Sequence, residues 1–505
     1  MSGGYDDELS RPLEGALEAS TSEGESSPAV GRDEWVARHG GNREQRGGRL
    51  GTLEERLRLV PWWAWLTTFV ALFALVPVAS DNGYVRRVAF DIAIYMLLAL
   101  GLNVVVGWGG LLDLGYVAFF GIGAYSYALL SSDHYGINLP TIVSIPLIVV
   151  IGAGVGLLVG LPSRRLTGDY LAIVTLFFLQ LFLTLTTNGD DLFGHNVTGG
   201  ANGILRVDPL SVFGHELPVS GGGGLFNPAY LYVVLAVFVV VYVALRFVNL
   251  SRTGRAWRSL REDPLAAEVM GMPVNWLKLM SFSFGAAVAA LTGTFVTALN
   301  ASVFPLSFSF PLLIIIYTMV ILGGAGSQAG VVLGAVLIGI LLELLRDPGD
   351  ARVLFYAVVV LGLLAAFRLS VRLAVVLGGT LVFGVVVHSV VGAVDNAWVD
   401  GSGGEGGGVA DFAANWVIVP TDLAAWVTPV SYTSLIALAL ILTLLHGWVR
   451  LALLAPVLYL AAFVWENVMI SKPEPTRYII LGVLLIALMV LRPNGLLGEK
   501  RVEII

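Results

Sequence analysis

The stretch ALGLNVVVGWGGLLDLGYVAFFGIGAYSYALL, residues 99–130, sets Asn103 and Asp113 in an apolar run broken by Gly107, Gly109, Gly110 and Gly115. An ionisable side chain at membrane depth is costly, so it faces a cavity, a partner group or the aqueous boundary. Glycines there release backbone N–H and C=O groups that only protein or a water-filled space can satisfy. Asp113 therefore suggests a cavity or a membrane boundary. A competing reading is that Gly107–Gly110 is a tight turn between two spans and Asp113 caps the next helix. Asp91, Gln180, Asn300, Glu343 and His388 also fall in or near apolar runs. Of these, Glu343 is close enough to a helix end to reach the surface, and Gln180 can bond across helices. The chain has no cysteine, which excludes thiolate metal sites and thiol catalysis. No nucleophile–base pair, paired catalytic carboxylates or metal-ligand cluster is legible, so neither catalytic nor metal-binding residues are assigned.

A second stretch, SRTGRAWRSLREDPLAAEVMGMPVNWLK at 251–278, gathers charge in a chain that otherwise has little. It reads as a loop carrying a short amphipathic helix that Asp263 caps, Pro264 opens and Gly271 stops. Leu265, Val269 and Met270 are apolar residues ringed by charge, the mark of a protein contact. Binding of lipid headgroups by Arg252, Arg255 and Arg258 is compatible with this.

The elements that position these residues are membrane helices. Only 13% of residues are charged, about half the share in soluble domains. Continuous apolar runs reach the roughly 20 residues that cross a bilayer. The expected fold is an all-α polytopic transmembrane bundle of about fourteen helices, some short or broken. They fall at 60–79, 87–106, 109–131, 140–161, 169–187, 228–248, 278–299, 306–322, 328–345, 353–367, 372–393, 433–447, 450–465 and 478–491. Residues 1–59 carry twelve acids against eight arginines with little apolar content and read as a disordered tail. Arginines around Arg164–Arg165 and in 249–277 place those loops, and both termini, in the cytoplasm. The acidic loop 188–227 and the glycine-rich loop 394–432 then lie outside. The pair Arg86–Arg87 dissents, because the same count puts it outside. Gly152, Gly156 and Gly160, like Gly326, Gly330 and Gly334, make flat stripes where helices approach closely.

The 99–130 stretch resembles the opening signature of the permease subunits of branched-chain amino acid ABC importers, and specifically the larger of the two permeases. RLTGDYLAIVTL at 165–176, TGGANGI at 198–204, MVILGGAGSQAGVVLGA at 319–335 and LRPNGLLG at 491–498 resemble further family motifs in order. Ala201 stands where the family usually has proline. The resemblance implies a core permease over 60–345 and a final helix with cytoplasmic end over 477–505. About four additional helices over 346–476 separate them, and the family says nothing of their role.

The resemblance also implies a multi-pass protein of the prokaryotic plasma membrane, working by alternating access. Its partners would be a second permease, two ATP-binding cassette subunits, an extracytoplasmic solute-binding protein and the lipid bilayer, with no nucleic acid. GGAGSQAG lacks the lysine of a phosphate loop, so the chain is expected to bind no cofactor and to leave ATP to the partner. AAEVMG resembles the family's coupling motif, which assigns ATPase coupling to Arg261, Glu262, Asp263, Ala266, Ala267, Met270 and Gly271. Asn103, Gly107, Asp113, Tyr116 and Tyr125 are expected along the translocation pathway. Asp169, Tyr170, Thr198, Gly199, Gly200 and Asn202 belong to family motifs in the pathway or an external loop. Branched-chain amino acids are the expected solute and urea or short amides the alternative. The rival of a different class is an ion-coupled secondary transporter, for which Asp91 and Asp113 offer little.

Overall fold

The computed structural model describes residues 61–163, 166, 168–191, 194–212, 215–219, 226–367, 370–394, 398–399, 412, 415–420, 424, 426–469, 473–491 and 495–498. The acidic tail 1–59, the Arg164–Arg165 pair and most of the 394–432 loop lie outside the described residues. Contacts divide the chain into Met1–Phe69 and Val70–Ile505. Of the first unit only the start of one helix, from residue 61 onward, is described; the second unit holds the rest of the bundle.

Sixteen α-helices are described: α1 (Trp62–Ala79), α2 (Gly83–Leu102), α3 (Tyr116–Leu130), α4 (Thr141–Ser163), α5 (Asp169–Thr187), α6 (Pro228–Leu250), α7 (Arg252–Glu262), α8 (Pro264–Val269), α9 (Val274–Asn300), α10 (Phe310–Gly323), α11 (Gln328–Leu344), α12 (Pro348–Phe367), α13 (Val371–Val394), α14 (Val427–Leu444), α15 (Gly447–Val464) and α16 (Pro473–Leu491). Ten described helices are long and apolar enough to cross a bilayer, and α11 with α12 forms a pair bent by 117°. The protein is a multi-pass, all-α membrane bundle.

The helix starts follow from local chemistry. Asn82 and Asn227 accept hydrogen bonds from the amides of Tyr84 and Ala229 at the heads of α2 and α6, satisfying donors that a helix leaves orphaned. Arg86 and Arg87 sit at the head of α2. Arg86 donates to Pro77 O and pairs with Asp81 at 2.7 Å, and Arg87 pairs with Asp91 at 3.2 Å. Both dissenting charges are thus neutralised locally.

The long helix α9 lies at the centre, packed on α2, α3 and α4. Lipid tails are as apolar as leucine, so close backbone approach replaces hydrophobic drive. A Cβ added at Gly156 would fall 2.7 Å from Phe282 O, and one at Gly293 would fall 2.6 Å from Ala124 N. The second glycine stripe seats α11 on α10, with Gly330 and Gly334 against the backbone of Gly323. Residues Gly495–Leu497 fold back on that crossing: Leu496 N donates to Leu322 O at 2.8 Å and Leu497 N to Gly323 O at 3.0 Å. The ends of α10 and α16 therefore meet at one end of the bundle, a return that needs an even number of crossings between them. At the other end, two-residue strands Ile204–Leu205 and Ser302–Val303 pair antiparallel.

The additional helices are joined by a buried polar cluster. Arg352 of α12 pairs with Glu466 at 2.9 Å, and their side chains are 6% and 3% exposed. Tyr356 donates to the same carboxylate at 3.1 Å, and Trp465 stacks on Phe355 at 4.5 Å. Glu466 lies in a π-helical segment, Trp465–Met469, that extends α15.

Helices α2, α12, α14 and α16 start about four to six residues ahead of the expected positions, and two further departures bear on the site. The span expected at 109–131 starts only at Tyr116, because Gly109–Gly115 is an irregular turn fixed by side chains. The 249–277 segment holds two helices rather than one, and α9 begins at Val274.

Candidate functional site

The break in the 99–130 stretch is a six-residue π-helical segment, Asn103–Trp108, continuing α2. The wider π turn is a common feature of functional sites. Asn103 is fully buried; its Oδ1 accepts from Gly326 N at 2.7 Å, while its Nδ2 has no hydrogen-bond partner. Gly107 is required by close approach, since a Cβ there would fall 2.6 Å from Gly326 N. Trp108 Nε1 donates to Gly326 O at 2.9 Å. The broken helix is thereby bound to the 324–327 turn between α10 and α11.

Asp113 is fully buried in the turn before α3, and its Oδ1 accepts from Gly115 N at 2.9 Å. That bond closes a local turn ahead of α3 rather than capping it, since the N-cap is Gly115 and has no side-chain cap, and Oδ2 has no partner. Tyr317 of α10 holds the same turn, accepting from Asp113 N at 3.0 Å and donating to Asp113 O at 2.7 Å. Tyr116 is buried and donates to Leu98 O at 2.9 Å. Tyr125 lies apart, near Phe182 and Phe308 with ring centroids at 6.1 and 6.2 Å, and its buried hydroxyl has no partner. The structure therefore brings Asn103, Gly107 and Asp113 to one end of the bundle and places Tyr125 on a separate aromatic cluster.

The charged segment meets the break directly. Helix α7 buries Gly254, Trp257 and Leu260 along one face. Trp257 stacks on Trp108 with centroids 6.1 Å apart and donates to Leu277 O at 2.9 Å. From the same helix, Arg261 Nη1 donates to Gly107 O at 2.6 Å and Ala325 O at 3.3 Å. One guanidinium thus touches both the π segment and the α10–α11 turn. Helix α8 comes next, capped by Asp263 accepting from Leu265 N at 2.9 Å and Ala266 N at 3.0 Å. Gly271 ends it at φ +80°, a conformation that other residues resist. Leu265, Val269 and Met270 are 75%, 87% and 78% exposed. Glu262, Asp263 and Ala266 are exposed too, whereas Ala267 is buried against the bundle. Arg261 and Ala267 therefore turn inward, away from the exposed face of α8.

The remaining motif residues lie elsewhere. Asp169 and Tyr170 are exposed in the first turn of α5. Thr198 donates to Thr186 O at 2.8 Å, closing the loop onto the end of α5. Gly199 and Gly200 carry positive φ, Asn202 is exposed, and the strand beyond it pairs with Ser302–Val303, just past α9. Glu343 accepts from Tyr84 and pairs with Arg346 at 3.5 Å at the surface. His388 bonds Val417 O at 3.3 Å, and Gln180 is exposed. Among the described residues no group of three or more His, Cys, Asp or Glu side chains is placed to hold a metal ion.

The family described as branched-chain amino acid transport system / permease component matches residues 84–367. This chain belongs to that family. The permease match begins with α2 and ends with α12, so α13 to α16 fall outside it. The high-affinity branched-chain amino acid transport system permease protein LivM of Salmonella typhimurium is 39% identical over 313 residues, covering 58% of this chain and 70% of that protein. LivM of Escherichia coli is 38% identical over 299 residues, covering 55% and 67%. The permease protein LivH of Salmonella typhimurium is similar at 24% identity over 262 residues, covering 49% and 80%. No solved structure matches.

Trp108, Trp257 and Tyr317 were not singled out by sequence reasoning, and Gly326 was read only as part of a packing stripe, yet they build the contact between the break and α7. The signal for α7 was available: Gly254, Trp257, Leu260 and Arg261 recur at the three- and four-residue spacing of one helix face.

Proposed function

We propose that this chain is a permease subunit of an ABC importer, passing branched-chain amino acids inward by alternating access. The likeness to LivM and LivH supports pairing with a second, related permease. The end carrying α7 and α8 faces the cytoplasm, as the arginines of α7 favour, and both termini lie on that side. Two ATPase subunits dock against α8 and consume the ATP, and an external binding protein delivers the solute.

The observation that carries this reading is Arg261, which bonds Gly107 O and Ala325 O from the helix that leads into α8. Docking buries Leu265, Val269 and Met270, a gross gain of roughly 5–9 kcal/mol at about 1.5–3 kcal/mol each. When nucleotide draws the ATPases together, α8 moves and α7 carries Arg261 with it. The π segment and the α10–α11 turn then shift together, and access to the pathway changes sides. The pathway runs past the broken segment, with Asn103, Gly107 and Asp113 at its cytoplasmic end.

The test is reconstitution in proteoliposomes with the sister permease, the ATPases and the binding protein. ATP-dependent accumulation of labelled leucine is expected. Uptake that needs an ion gradient but no ATPase, or uptake of urea in place of leucine, overturns the reading.

A further inference from the structure

We infer that a cavity of about 440 Å³ at the outer end of α2 and α9 is a transient binding site for a zwitterionic amino acid with an apolar side chain. This rests on the proposed import of amino acids and adds where the solute first lodges in the permease. Neither the family match nor the motifs point to these residues.

The cavity has two halves of different chemistry. Asp91, Asn300 and Thr297 line its polar side, and Ile94, Leu98, Phe120, Val296, Phe308 and Leu312 line its apolar side. Its volume falls within the range typical of small-molecule sites, which combine an apolar lining with a few polar groups. Arg87 stands behind the polar side, bonded to two of its lining residues: its Nε donates to both oxygens of Asp91 at 3.2 Å, and its Nη2 donates to Asn300 Oδ1 at 2.9 Å. The Arg87 and Asp91 side chains are 39% and 44% exposed, and an ion pair open to water contributes little. A zwitterion can therefore open it without a large loss. Its ammonium takes Asp91 and its carboxylate takes Arg87, so two charges on each side meet their opposites and the site stays neutral. Thr297 is 1% exposed and its hydroxyl has no hydrogen-bond partner in the folded chain. A buried hydroxyl without a partner is costly, and an occupant of the cavity supplies one. Asp91 also borders a second cavity with Glu343, Arg346 and Arg477. There Glu343 is already engaged by Tyr84 and Arg346, which leaves the first cavity as the better receptor.

The chain has no cysteine, so Ser302→Cys, at the cavity wall, gives one attachment point for an environment-sensitive fluorophore. The full-length labelled chain in nanodiscs is titrated with L-leucine, 4-methylpentanoate (no ammonium), isoamylamine (no carboxylate) and urea. A saturable response to leucine is expected, with each one-charge analogue at least tenfold weaker, which corresponds to about 1.4 kcal/mol. Asp91→Asn should abolish the advantage of leucine over 4-methylpentanoate, and Arg87→Gln its advantage over isoamylamine. Folding damage alone would weaken all probes equally. Leucine-insensitive fluorescence, or variants that weaken every probe alike, overturns the site even where the reconstituted importer pumps leucine. Failure of that importer to pump leucine instead strikes the functional reading.

Discussion

Replacing Arg261 with methionine tests the proposed lever. The variant keeps the aliphatic stem that packs on Gly110 but removes the guanidinium held 2.6 Å from Gly107 O and 3.3 Å from Ala325 O. A hydrogen bond to a charged group contributes about 1.5–3 kcal/mol, and the longer contact adds little. Arg261 is partly exposed, so water recovers part of the loss. A net of about 2 kcal/mol results, roughly a 30-fold change in the balance between latched and released states. That is small against the packing of Trp257, so α7 should stay folded. The assay is leucine accumulated per ATP hydrolysed in proteoliposomes, with hydrolysis measured in parallel. Hydrolysis should persist while accumulation per ATP falls severalfold. An unchanged ratio refutes the lever, as does a fall in both quantities that tracks loss of assembled complex.

Three other changes separate coupling from packing. Val269→Asp on exposed α8 should leave the melting temperature of the chain unchanged, while a pull-down shows ATPase binding weakened at least tenfold. A matching drop in melting temperature would place Val269 in the core instead. Gly156→Leu forces a side chain against Phe282 O and should destabilise the bundle by about 1–3 kcal/mol, seen as an earlier thermal transition in detergent. At Gly154 an added Cβ meets nothing within 4 Å, so Gly154→Leu should be tolerated, and equal losses at both positions would defeat the close-packing account. Arg352→Met strands Glu466 in the interior at a cost of about 3–5 kcal/mol, and adding Glu466→Met should recover much of it. A double variant no more stable than the single one would mean that the charge pair does not hold these helices together.

Much of this was readable from residue order, and the parts that were not share a cause. Asp263, Pro264 and Gly271 delimit α8 because capping, fixed φ and positive φ are local properties. Likewise α5 keeps the expected bounds of 169–187 because glycine precedes it and Asn188 closes it. Segment 109–115 reads as membrane span because its composition is apolar. It is a turn because Tyr317, about two hundred residues away, bonds both backbone groups of Asp113. Such long-range partners have no trace in local periodicity. Nor did charge alone tell Arg261 from its three companions on α7; only its register with Trp257 and Leu260 turns it inward.

The backbone bonds from Leu496 and Leu497 to Leu322 and Gly323 bear on how the polypeptide matures. The carbonyls that end α10 stay open until six further helices have been synthesised and inserted. During that interval the α10–α11 crossing waits for a distant strap, and slow, non-local closures of this kind expose chains to misassembly. Ribosome stalling or proteolysis just ahead of Gly495 would therefore leave a bundle that is threaded through the bilayer yet unlatched where α10 meets α11.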